Sequence, residues 1–168
     1  MSTISMYRAS VPVFARVLKN LDAILDKAAV YATEKKIDPS VLLNSRLAPN
    51  MFALTRQVQI VTDQIKGCVS RLAGVDIPRY EDTETTFEQL KARLHKTLDY
   101  INSFKPEQID GSEDKDITLT LGGTTRQFKG LDYLLNAATM HIYFHYTTAY
   151  ALLRHNGLEI GKGDFLGK

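Results

Sequence analysis

The sequence predicts an all-helical domain built as a four-helix bundle, and three observations predict it. Four long stretches place apolar residues at alternating three- and four-residue steps, so each buries one face when helical. The connections between them are polar and punctuated by Pro39, Pro49, Gly74, Gly111 and Gly157. One stretch, just before the last helix, switches instead to an alternation of period two. At 168 residues the chain fits a single domain, residues 1–168, that would bury roughly 70% of its unfolded surface.

The first helical pattern runs from about Ser10 to Glu34, with Val11, Phe14, Leu18, Leu21, Leu25 and Ala28 on its inner stripe. Ser10 as N-cap keeps Pro12 in the first turn, where its missing N–H costs nothing. Asp38-Pro39-Ser40 opens a short helix through Leu43, and Pro49 closes that connection. Asn50 then caps a second long helix ending near Gly74, whose seam is Met51, Leu54, Val58, Val61, Ile65, Cys68 and Leu72. A third helix spans about Thr83 to Phe104, capped by Thr83 or Thr85, with Phe87, Leu90, Leu94, Leu98 and Ile101 inside.

Pro106 to Gly130 breaks the helical rhythm. Gly111 and the charged run to Asp116 read as loop, and Ile117 to Leu121 alternates as a strand. Gly122-Gly123 is a hairpin turn signal, and Thr124 to Phe128 supplies the return strand. The last helix spans about Leu131 to His155 and stops at Gly157, leaving a glycine-rich tail as a packed cap.

Charge excludes two classes of partner. With 21 Lys plus Arg against 19 Asp plus Glu, the net charge of +2 is too small and too dispersed for nucleic acid or an anionic membrane. The single cysteine, Cys68, excludes an intrachain disulfide and any multi-cysteine zinc site, and its seam position marks it as a small buried hydrophobe. The opening residues, Met1 to Ser10, lack the apolar core of a signal peptide, and no apolar run approaches the ~20 residues of a membrane span. A soluble, cytoplasmic protein is expected.

Chemistry concentrates on the last helix. A straight helical count puts Leu131, Leu134, Ala138, His141, His145, Thr148 and Leu152 on one inward stripe. His141 and His145, four residues apart, stand one above the other, and two such imidazoles can share a divalent ion at ~2.0–2.1 Å. The alternative is a pair of core histidines satisfied by neighbouring hydroxyls, of which Tyr143, Tyr146, Thr147, Thr148 and Tyr150 offer several. Position 142 is Ile142, so the glutamate base of an HExxH protease is absent. A third ligand is scarce: His155 lies roughly 20 Å along the helix from His141, and His95 flanks its own seam. Gln57, at mid-depth in the second helix, is the candidate third site position, either as a weak amide ligand or as a core amide hydrogen-bonded to one histidine. No phosphate loop, nucleophile elbow or dinucleotide fingerprint is present.

Four segments carry a resemblance. They are Arg46 to Gln59, Arg71 to Gly74, Phe144 to Arg154 and Gly161 to Gly167, and together they resemble an uncharacterised branch of the DinB/YfiT-like metalloenzyme superfamily. That resemblance implies an up-down-down-up four-helix bundle, commonly a homodimer, to which the residues themselves add a short helix and a small β-hairpin before the last helix. It also implies nickel or zinc held by three histidines, one from the second helix and an HxxxH pair from the last, and in some members thiol S-transfer. His141 and His145 match the pair, whereas the second-helix histidine has no counterpart and Gln57 stands nearest its place.

Two readings follow. The first is a small-molecule-binding bundle with an incomplete histidine metal site and no resident cofactor. The second is a nickel- or zinc-dependent enzyme of the thiol S-transferase type, with His141 and His145 as ligands.

Overall fold

Ser5, rather than Ser10, starts the first helix of this computed structural model, which describes residues 4–121 and 123–168. The Ser5 hydroxyl accepts the Arg8 N–H at 3.3 Å, and α1 runs Met6–Glu34. A second exposed N–H, that of Tyr7, donates to Asp110 Oδ1 at 2.7 Å, a cap brought from the far side of the chain. Ser10 therefore lies inside the helix and donates to the Met6 carbonyl at 2.6 Å. Pro12 falls within the helix as well, where the carbonyl of exposed Arg8 can be satisfied by water.

The short α2, Pro39–Leu43, is capped by Asp38, whose carboxylate accepts the Ser40 N–H at 2.8 Å. The next helix, α3, is Leu54–Ala73; it begins past Asn50 at Ala53, with no side-chain cap, and stops at Gly74 with φ 74°. Its seam residues Leu54, Val58, Val61, Ile65, Cys68 and Leu72 are all buried, and only Met51 falls outside the helix. The fourth, α4, is Phe87–Asn102, and its cap is Thr86, which accepts the Gln89 N–H at 3.2 Å. The polar connection before it is not loose. Buried Arg93 donates to Thr62 Oγ1 at 2.7 Å and pairs with Asp63, Asp82 and Glu84 at 2.8, 3.0 and 3.0 Å.

A one-turn helix, α5 (Pro106–Ile109), stands where a loop was expected and buries Ile109. Strands β1 (Asp116–Leu121) and β2 (Thr124–Lys129) pair antiparallel, from Asp116 opposite Lys129 to Leu121 opposite Thr124. The period-two pattern places Ile117 and Leu119 inward with Thr118 and Thr120 exposed. Of the expected Gly122-Gly123 turn, Gly123 has φ 80°, and Gly122 lies outside the described residues.

The last helix is not uniform. A single turn, α6 (Gly130–Asp132), leads into a π-helical segment, Tyr133–Ala138, and then into α7, Thr139–His155. Gly130 is obligatory at the entry, because a Cβ there would sit 1.8 Å from the Ser112 carbonyl oxygen. The tail forms a short helix, α8 (Lys162–Leu166), against α1. In packing, α3 lies against both α7 and α4, while α1 lies against α4 and also touches α7. The result is a mostly helical fold whose core lies between four long helices, with the small sheet set beside the last one. Among the described residues no helix is long and apolar enough to cross a membrane.

Candidate functional site

The winding of the last helix sets where the histidines stand. Buried along it are Tyr133, Leu134, Ala137, Ala138, Ile142, Tyr146, Thr148, Ala149, Leu152 and Leu153. Within α7 the buried face is centred on Ile142, Tyr146 and Ala149, one position past His141 and His145, while Thr148 and Leu152 of the straight count remain inside. The inward stripe expected from a straight count is therefore corrected: Leu131 is 45% exposed, and His141 and His145 lie half-buried at the margin of the core stripe.

His145 meets Gln57 there. The two residues come from α7 and α3, the pair of long helices in most extensive contact. Gln57 is buried, and its Nε2 donates to the Phe52 carbonyl at 3.0 Å, which turns its Oε1 toward the imidazole. His145 Nδ1 lies 2.6 Å from that Oε1. An amide oxygen only accepts, so Nδ1 carries the proton and donates. A neutral ring then has an unprotonated Nε2 on its opposite edge.

The ring stays neutral. Burial, then the neighbouring His141, then the Arg56 guanidinium push the His145 pKa down from 6.5 to about 4. The Phe144 ring meets the imidazole edge-on at 5.1 Å between centroids, completing a hydrophobic flank. Met140, Tyr143, Phe144, Thr147 and Thr148 join the two histidines around an open cleft of about 740 Å³ on the outer face of α7. His141 also borders a smaller cleft of about 320 Å³ beneath the hairpin, lined by Leu119, Arg126 and Phe128 among others.

The donors do not match a three-ligand metal centre. Gln57 turns its only lone-pair oxygen to the Nδ1 proton of His145, so it is committed to a hydrogen bond. No group of three or more His, Cys, Asp or Glu able to share an ion occurs among the described residues. His145 Nε2 and His141 would be the only imidazole donors, short of the three protein ligands of catalytic zinc sites.

The remaining expectations fall elsewhere. His95 is exposed, its Nε2 3.1 Å from Asp22 Oδ1 on α1, remote in sequence and fold from the pair. His155 ends α7. Cys68 is fully buried, and burial raises its pKa to about 12, so it is a packing group rather than a nucleophile. Met140 and Phe144 were not singled out by sequence reasoning. Their signal was apolar residues on the outer side of an otherwise amphipathic helix, where they are 65% and 58% exposed.

Comparison with known proteins agrees with this architecture. No curated protein matches the chain. A crystal structure of a DinB family member from Shewanella denitrificans is similar to it, with a TM-score of 0.87 and 41% identity over 96% of this chain and 92% of that one. The profile of a domain of unknown function, DUF1993, matches residues 6–166. The chain thus belongs to the DUF1993 family, an uncharacterised DinB-like family.

Proposed function

We propose that this chain is a small-molecule-binding DinB-like protein whose histidine site is incomplete as a metal centre and serves instead as a hydrogen-bond acceptor. One observation carries the reading: Gln57 fixes the tautomer of a neutral His145, leaving Nε2 as an acceptor beside an apolar wall. A few placed polar groups in an otherwise apolar concavity are the usual make-up of a ligand site. The fitting ligand has a hydroxyl or N–H to donate to Nε2 and an apolar body to lie on Met140 and Phe144. The alternative, a nickel or zinc enzyme of the thiol S-transferase type, needs a donor that Gln57 does not supply.

The bundle follows the up-down-down-up order of the superfamily in this reading, and the protein is a cytoplasmic homodimer. The cleft is walled by α7 alone, and exposed Met140 and Phe144 would be covered by a second copy that closes it. Native mass gives the assembly state, with Phe144→Glu expected to yield monomers.

The ligand test uses 4-ethylphenol in the presence of a chelator. A rise in melting temperature is expected, because a ligand selective for the folded state stabilises it. The rise should vanish in His145→Phe, which keeps the apolar volume and removes the acceptor. Stabilisation that appears only after zinc or nickel is added would favour the enzyme reading instead.

A further inference from the structure

A third concavity lies on the other side of Tyr143, between α1, α7 and α8, with a volume of about 470 Å³. Its residues differ in kind from those of the histidine cleft. Pro12 and Val13 of α1 face Tyr143 and Tyr146 of α7 and Phe165 of α8, and Arg8 and Arg16 stand at its rim.

The aromatic wall is fixed in place. Tyr146 and Phe165 stack at 4.1 Å with 15° between ring planes, and Tyr150 meets Phe165 edge-on. The Tyr146 hydroxyl donates to the Phe165 carbonyl at 2.7 Å, and Asn20 Nδ2 donates to the same oxygen at 3.0 Å. The C-terminal helix is thereby pinned, and Phe165, backed by buried Tyr146, is held beside the more exposed Tyr143 without further ordering.

The rim is cationic and uncompensated. Arg8 and Arg16 lie two turns apart on one face of α1, ~12 Å between their Cα atoms, with Pro12 midway. Neither guanidinium is in an ion pair among the described residues. The four undescribed residues, Met1, Ser2, Thr3 and Gly122, carry no side-chain carboxylate. No acidic residue lines the groove, and the nearest in sequence, Asp164, is occupied by Lys27 and by the Gly161 N–H. Tyr143 lines this groove as well as the histidine cleft, and its hydroxyl makes no hydrogen bond among the described residues.

We propose that this groove is a binding site for an aromatic carboxylic acid. The ring lies against Tyr143 and Phe165, over Pro12 and Val13, and the carboxylate is held between the two guanidiniums, whose planar forks match its geometry. Offset stacking supplies shape selectivity, and the aromatic wall excludes water from one side of the ion pair, which strengthens it. The two clefts share Tyr143, but this site does not use the histidines.

Calorimetric titration with 2-naphthoate tests it on the full chain. Saturable binding with Kd below about 1 mM is expected. The uncharged isostere 2-naphthamide, and an Arg8→Gln/Arg16→Gln variant that removes the charges while keeping polar side chains at an exposed rim, should each bind at least ~10-fold more weakly. His145→Phe should bind as the wild type does, which separates this site from the proposed function. The absence of saturable binding, equal binding of the amide, an unaffected double variant, or equally tight displacement by inorganic phosphate would each overturn the proposal.

Discussion

Gln57 and His145 form a pair in which each side chain fixes the other. The amide is oriented by the Phe52 carbonyl, and the amide in turn orients the imidazole and its proton. Replacing Gln57 with Leu keeps the volume and leaves a half-buried N–H and a carbonyl without partners. Chemical denaturation should show a loss of about 1–3 kcal/mol, the usual cost of stranding such groups. His145 also predicts a pH dependence. Its pKa is depressed from 6.5 to about 4, so between those values the unfolded chain takes up a proton that the folded chain refuses. Stability is fully present above pH 6.5 and is lost as pH falls toward 4. Melting temperatures of the wild type should therefore drop more steeply over that window than those of His145→Gln, which cannot titrate; parallel curves would contradict the assignment.

At the scale of elements, regular periodicity was readable and irregular winding was not. The seam of α3 was legible residue by residue, from Leu54 to Leu72, because an uninterrupted helix repeats faithfully. Gln57 was recognisable as an amide at the right depth for the same reason. The helix starts were misplaced where the caps were not local in the expected way, as with Asp110 on the Tyr7 N–H and Ser5 in place of Ser10. The histidines sit at the margin because the buried face of α7 is centred on Ile142, Tyr146 and Ala149, although Thr148 and Leu152 of the expected stripe stay inside, and the π turn at Tyr133–Ala138 departs from a straight helical count. Tertiary contacts surround that turn: Gly130 abuts the Ser112 carbonyl, the Leu131 N–H donates to Glu113, and the Tyr133 hydroxyl accepts from Arg71. None of these contacts has a signature in local sequence. Gly130→Ala would drive a methyl group into a backbone oxygen, and overpacking of that kind costs about 1–3 kcal/mol. A thermal melt of that variant should fall accordingly, while Gly161→Ala, where a Cβ meets nothing within 4 Å, serves as the control.

Across the whole molecule, the long helices form a tight core and the chemistry is confined to the outer face of α7 and the neighbouring groove. Cys68 illustrates the division. It is fully buried on the α3 seam with its pKa raised to about 12, so it should resist iodoacetamide in the native protein and react only on unfolding. Modification at a native-state rate typical of free thiols would mean that the core opens more readily than its packing implies. The overall composition was legible as that of a globular domain. The missing third histidine was equally legible, and so was Gln57 as an amide bonded to one histidine; that the partner is His145, through Nδ1, needed the geometry of two helices.

The most direct test of that geometry is the nitrogen-15 NMR signature of the His145 ring at neutral pH, in protein treated with chelator. A neutral imidazole protonated at Nδ1, with Nε2 bare, is the expected result, and it should be lost in Gln57→Leu. A charged ring, or one protonated at Nε2, would contradict the role assigned to Gln57 and remove the acceptor on which ligand binding depends.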